Sequence, residues 1–153
     1  LLLGPINQFD QAVALYRQAA ADSGHDPDTL RVSINAHGYV GSTSQEARDT
    51  MYPAFKVGMR ENNHQRGMGF TMPRDAFDAQ ASAAGGLLVG SVQEVIDKLM
   101  TYHELYGVDR AIFQIGYGGM TQSDHLKAIE RLGTEVAPVV RNEVAARLKE
   151  PLK

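Results

Sequence analysis

The stretch Leu30–Gly41, reading LRVSINAHGYVG, constrains the fold more than any other part of the chain. Val32, Ile34, Ala36, Gly38 and Val40 fall on one parity, and Ser33, Asn35, His37 and Tyr39 fall on the other. A period of two is that of a strand. Helical patterns flank it on both sides, which points to a strand of a parallel α/β unit, covered on both faces. Polar groups placed inside must find partners. Asn35 and His37, near the C-terminal end of the strand, are therefore candidates for part of a ligand site, or for a polar core in which they satisfy each other; the residues alone leave both open.

With 153 residues, 43% of them hydrophobic and 22% charged, the chain is the size of one ordinary globular domain. Fifteen basic against eighteen acidic residues give a net charge of −3, spread without blocks. That balance argues against nucleic acid or an anionic membrane as the partner. The chain has no cysteine, so neither disulfides nor thiolate chemistry is available to it, and a reducing, cytoplasmic setting is expected. No apolar run is long enough for a membrane span, and none is preceded by a charged leader. The opening Leu1-Leu2-Leu3-Gly4-Pro5 reads as the end of a buried strand stopped by a turn, so the sequence is expected to be a piece of a larger protein.

Ile6, Phe9, Val13, Tyr16 and Ala20 recur at spacings of three and four and predict a helix that Ser23-Gly24 ends. After the central strand, Thr43 and Glu46 have capping-box spacing and predict a helix from about Ser44 toward Lys56, with Pro53 kinking or ending it. Residues 57–86 show no clean period and are read as an irregular insertion or lid, with one short helix near Asp75–Ser82. His64 and Arg66 there can meet an anionic substrate or simply be solvated. Order returns at Leu87–Ser91. Ser91 and Glu94 form a second capping box, and Val92, Val95, Ile96, Leu99, Tyr102 and Tyr106 make a helical stripe closed by Gly107. The start of that helix, behind Gly90-Ser91, is suited in principle to an anion. Asp109–Gly116 reads as a near-continuous apolar strand interrupted by Gln114. Ser123 is then expected to cap a helix that Gly133 breaks, before a last helix from Thr134–Pro138 toward Lys149.

Two whole strands and a stub cannot close a sheet beneath this many helical stripes. The rhythm predicts an α/β fold, the C-terminal portion of a (β/α)8 TIM barrel, with parallel strands and flanking helices, residues 1–153 forming one partial domain. Chemistry in such barrels sits at the C-terminal ends of the strands, which would bring Gly4, His37, Tyr39 and the Gly116-Tyr117 loop to one mouth.

Several segments, in this order and spacing, resemble the C-terminal half of the bacterial luciferase-like flavin-dependent monooxygenases. They are Gly4-Pro5 with Phe9 and Leu15-Tyr16-Arg17, Gly24-His25-Asp26-Pro27, the strand end His37-Gly38-Tyr39-Val40, and Thr43 to Ala47. The match continues through Leu87–Ser91 with Glu94-Val95, Gly107–Arg110 and Leu132–Arg141. One departure is Val92, where the family often has proline. The resemblance implies a barrel that binds FMN, or in sister branches a deazaflavin, at the C-terminal mouth. Reduced flavin there activates oxygen against a small organic substrate or exchanges hydride with it, and NAD(P)H is a possible source of electrons. In the alkanesulfonate branch an arginine stands two residues before the histidine; here Asn35 occupies that place, which removes a fixed positive charge and puts a sulfonate substrate in doubt. By the same resemblance His37, Tyr117 and Asn35 are the catalytic candidates, and Leu3, Gly4, His37 and Gln114 the cofactor-binding ones. The implied partners are the small-molecule substrate, the missing N-terminal half of the barrel and, through exposed sheet edges, a second copy in a homo-oligomer. The chain alone is expected to be inactive.

Two rival readings are a deazaflavin-dependent reductase on the same fold and a non-catalytic half-barrel that docks on a partner. A metal site built from His25, His37, His64, His103 and His125 is disfavoured, because no pair has ligand spacing and no carboxylate cluster accompanies them.

Overall fold

The structure, a computed structural model, describes residues 4–65, 72–116 and 119–147; the side chains of residues 28 and 62–65 are outside that description. Strand β1 (Val32–Gly41) is the middle of a three-stranded parallel sheet, with β2 (Leu88–Ser91) along one edge and β3 (Val108–Gln114) along the other. Gly38 to Gly41 pair with Leu88 to Ser91, and Ser33 to His37 pair with Arg110 to Gln114. The two short strands thus meet opposite halves of the long one. The last strand lies beside the first rather than beside its neighbour in sequence.

The helices follow from the stripes with three differences. Helix α1 (Asp10–Asp22) is held through Tyr106, whose hydroxyl accepts the Phe9 N–H at 3.2 Å and lies within hydrogen-bond reach of the Ile6 carbonyl and the Asp10 carboxylate. Helix α2 (Ser44–Gln65) does not stop at Pro53 or at Lys56. Met51, Phe55 and Met59 continue one buried stripe at spacings of four, so packing carries the helix past the proline and well into the stretch expected to be irregular. Helix α3 (Arg74–Ala81) falls where a short helix was expected and buries Phe77 and Ala81. Helix α4 (Val92–Tyr106) has the complete Ser91/Glu94 capping box and ends on Gly107 in the left-handed conformation.

The other two differences lie near the C-terminus. Thr121, not Ser123, caps α5 (Gln122–Arg131), its hydroxyl accepting the Asp124 N–H at 3.1 Å. Gly133 breaks nothing: a π-helical turn over Leu132–Val136 joins α5 to α6 (Ala137–Arg147), with Val136 fully buried. A lone glycine weakens a helix by only about 1 kcal/mol, less than the packing of the Val136 turn returns.

Two cores result, one on each side of the sheet. Ile34, Ala36, Val40 and Leu88 pack with Val95, Ile96, Leu99, Tyr102 and Tyr106 of α4 and with Val136. On the other side Tyr39, Leu87 and Val89 pack with Met51, Phe55 and Phe77, and with Ala128 of α5. The second covering is incomplete. Ser33, Asn35, Arg110, Ile112 and Gln114 remain exposed, so β3 alternates in burial and is not the near-continuous buried strand its apolar content predicts. Among the described residues no helix is long and apolar enough to cross a membrane.

Candidate functional site

The second face of the sheet carries the sequence-predicted polar residues, and strand register assembles them. Asn35 pairs with Ile112 and His37 pairs with Gln114, so Asn35, Ile112 and Gln114 form one contiguous open surface with Ser33 and Arg110 below it. Ile112 is 46% exposed, an apolar centre flanked by two amides. The His37–Gln114 row marks the limit of the covering: Gln114 is exposed and His37 is buried.

His37 meets the Phe55 ring edge-on, with centroids 5.4 Å apart. Gly38, next to it, has no room for a side chain, because a Cβ there would stand 2.4 Å from the Phe113 ring. Burial pulls the His37 imidazole down from 6.5 to about 4. At neutral pH it is therefore uncharged, a hydrogen-bonding group and not a standing cation. Beyond it, the buried Tyr39 hydroxyl makes no hydrogen bond of good geometry. Burial, then the Glu46 and Asp124 carboxylates, push that phenol above its usual range, with the nearby Thr50 hydroxyl and the Arg131 charge pulling back. A buried polar atom left unsatisfied costs about 1–3 kcal/mol.

The C-terminal ends of β1 and β2 repeat one device. Glu94 accepts from the Ser91 N–H at 2.9 Å and the Ser44 hydroxyl at 2.6 Å, with Arg48 3.6 Å away. Burial disfavours its charge, but these hydrogen bonds and Arg48 outweigh it, and the carboxyl is held below the usual range. Glu46 likewise reaches back, to the Ser42 N–H and hydroxyl and toward Arg131 at 3.5 Å, one residue earlier than a capping box on Thr43 requires. Gly41 and Gly90 make the approach possible, since a Cβ on either would lie within 2.7 Å of the Glu46 or Glu94 carboxylate. Each helix start is thus filled by the chain's own carboxylate. The anion site that Gly90-Ser91 allows in principle is occupied from within.

The other predicted residues are dispersed. The Gly4 N–H donates to Gln80 Oε1 at 2.7 Å, and Ile6 N–H to the Ala84 carbonyl at 2.8 Å, which ties this segment to the β2 side of the sheet, across β1 from Gln114. Leu3, Arg66 and Tyr117, and the side chain of His64, lie outside the described residues. Among the described residues no three His, Cys, Asp or Glu side chains are grouped to hold a metal ion.

Two groups were not singled out for the roles they take. Lys98 is buried and donates to the carbonyls of Leu87 at 2.6 Å and Ala81 at 3.2 Å, closing the connection from α3 to β2. Burial lowers its ammonium to about 8. Its place three residues after Val95 and four before Tyr102, on the apolar stripe, was the available signal. His125, considered only as a metal ligand, has a buried Nε2 without a partner.

A planar, partly polar cofactor such as a flavin fits the open surface in chemistry, with Ile112 as an apolar floor and the Asn35 and Gln114 amides to pair with ring edges. The starts of α2 and α4 leave no room for its phosphate, because Glu46 and Glu94 fill them.

A family model described as luciferase-like monooxygenase matches residues 1–109. Among solved structures, the chain is similar to monooxygenase RslO1 from Streptomyces bottropensis, at 23% identity and a TM-score of 0.69, over 88% of this chain and 39% of that one. It is also similar to the oxygenating constituent of 3,6-diketocamphane monooxygenase from Pseudomonas putida, a type II Baeyer–Villiger monooxygenase solved with FMN. That likeness has 19% identity and a TM-score of 0.58, over 88% of this chain and 40% of the other. The long-chain alkane monooxygenase LadA gives 17% identity and a TM-score of 0.58, over 92% and 36%. The chain therefore spans about two fifths of the length of these structures. No curated protein matches it.

Proposed function

The chain belongs to the luciferase-like monooxygenase family, and from that premise we propose that it supplies one wall of a flavin site in an oxidoreductase acting on a small organic substrate. The observation that carries the reading is the open half of the second face. A parallel sheet exposing Ser33, Asn35, Arg110, Ile112 and Gln114 beside a buried histidine is an unfinished surface. In this reading the remaining strands of a (β/α)8 barrel close over the part of this face that α2 and α5 leave bare. The proposed partners are accordingly those strands, the cofactor and the substrate; in isolation this wall is inactive.

FMN, when bound, supplies the electrons for oxygen activation or hydride exchange. What this chain contributes is position and polarity. Asn35 and Gln114 offer amide donors and acceptors on either side of the Ile112 floor, and neutral His37 stands behind them as a hydrogen-bonding group. The phosphate is left to loops outside the described residues. Asparagine at position 35 and the carboxylates at the starts of α2 and α4 disfavour a sulfonate beside His37, since the guanidinium of this face, Arg110, is paired with Ser33, lower in the register, and a neutral substrate fits the His37 end better.

The test is a titration of the protein as encoded with FMN, with reduced FMN plus oxygen, and with a deazaflavin. Saturable FMN binding and oxygen consumption that depends on an added organic substrate support the proposal. Binding of the deazaflavin alone moves the assignment to a reductase, and binding of neither overturns it in favour of a scaffold.

A further inference from the structure

We infer that His125 is a second histidine of the C-terminal mouth, a substrate-contacting residue whose Nε2 hydrogen-bonds a neutral oxygen, a carbonyl or a hydroxyl, of the organic substrate. The inference rests on the flavin-oxidoreductase reading of the fold and adds to it a residue and a charge preference.

The placement comes from the start of α5. The Thr121 hydroxyl accepts the Asp124 N–H and donates to the Asp124 carboxylate at 2.7 Å, and the Thr121 carbonyl accepts the His125 N–H at 3.1 Å. The backbone under the imidazole is thereby fixed. Its Nε2 points to the exit of β3: a Cβ built on Gly116 would stand 3.5 Å from it. Glycine at that position leaves unfilled the place beside the nitrogen where a Cβ would make an ordinary van der Waals contact. The Nε2 atom is nonetheless buried and has no hydrogen-bond partner. Buried polar atoms are nearly always satisfied, so an unsatisfied one on α5, beside the exit of β3, is accounted for by a ligand that is bound when the site works.

The surroundings set the kind of ligand. Asp124 adjoins His125, and Ala128, one turn further along the same helix, packs in the cluster that holds Tyr39, whose own buried hydroxyl makes no hydrogen bond of good geometry. That hydroxyl feels the Glu46 and Asp124 carboxylates more strongly than it feels Arg131. The Asp124 carboxylate is already paired with Lys127 at 3.9 Å and Glu46 with Arg131 at 3.5 Å, so an anionic group brought here would compete with two carboxylates for those cations, whereas a neutral oxygen meets a nitrogen able to donate or accept.

The experiment uses the protein as encoded, labelled with 15N in its histidine rings, and four probes: cyclohexanone, cyclohexanol, cyclohexanecarboxylate and methylcyclohexane. The expected result is a saturable shift of the His125 Nε2 resonance with the ketone or the alcohol, and at least tenfold weaker binding of the carboxylate and the hydrocarbon. His125→Phe, checked for an intact amide spectrum, should weaken ketone binding at least tenfold, and His125→Gln should restore part of it. No response to either neutral oxygen, tighter binding of the carboxylate, or full binding by His125→Phe overturns the inference. Should that variant fail to fold, the wild-type titration decides alone. FMN binding is followed on the same samples by flavin fluorescence. FMN binding with a silent His125 removes this inference only, and a responsive His125 without FMN binding removes the flavin reading only.

Discussion

The two faces of strand β1 are made by one stretch of chain and end in different states. Ile34, Ala36 and Val40 lie in a dry core under α4, finished by contacts this chain makes with itself. Ser33 and Asn35, on the other parity, stay exposed, and only His37 and Tyr39 are covered, by α2 and its neighbours. A face that closes on its own chain is there for stability. A face left half open, with amides around an isoleucine, is there for something else to complete.

The largest test of that contrast is Leu88→Ala. Leu88 is fully buried in the finished core, and its truncation should cost about 2–5 kcal/mol in chemical denaturation. Ile112→Ser, the matching change on the open face, should cost under about 1 kcal/mol because the side chain is 46% exposed. Equal losses would mean that the open face is packed in solution, and the contrast between the faces would fail.

Acid sharpens the comparison within the second face. His37 resists protonation in the fold down to about 4, whereas in the unfolded chain it takes up a proton near 6.5. Its folded value is lowered, so stability is full above that unfolded value and is lost as pH falls from 6.5 toward 4. At 1.36 kcal/mol per unit the loss is about 3 kcal/mol. Denaturation midpoints of wild type and His37→Phe over this range should diverge by that amount; parallel curves would show an imidazole that is hydrated in solution.

A smaller effect belongs to the filled helix starts. Glu94→Ala should cost about 1 kcal/mol by emptying the cap. Gly90→Ala, whose methyl would stand 2.5 Å from the same carboxylate oxygen, should cost a similar amount by swinging it out. The two losses should not add, because both remove one interaction. Additive losses measured in the double variant would show that Gly90 is needed for another reason.

Much of this was legible wherever a signal is local. The parity of Val32–Val40, the Ser91/Glu94 cap and the Gly107 stop are each set within a few residues, and all three are present. Local rules misled where packing at a distance decided. Pro53 lies inside α2 because Met51, Phe55 and Met59 bury one continuous stripe, and Gly133 lies inside a helix because Val136 must reach the core. Glu46 donates its N–H to the Thr43 hydroxyl as the spacing predicts, but its carboxylate takes the Ser42 N–H and hydroxyl instead of the Thr43 N–H, with Arg131, far along the chain, 3.5 Å away. For the site, alternation grouped Asn35 with His37, but which of them is covered depends on Phe55, and the pairing of His37 with Gln114 depends on strand order. Neither can be read from spacing. The orphaned nitrogen of His125 has no sequence signature, since burial without a partner is a property of the fold alone.

The central claim is that the open half of the second face is the flavin wall. It is tested most directly by FMN affinity in Asn35→Asp and Gln114→Glu, with Gln93→Glu on the exposed side of α4 as the control. Each substitution adds one negative charge at nearly constant size. The account predicts at least a tenfold loss of FMN affinity for the two wall variants and none for the control. Unchanged affinity in both wall variants, with the fold intact, would contradict it.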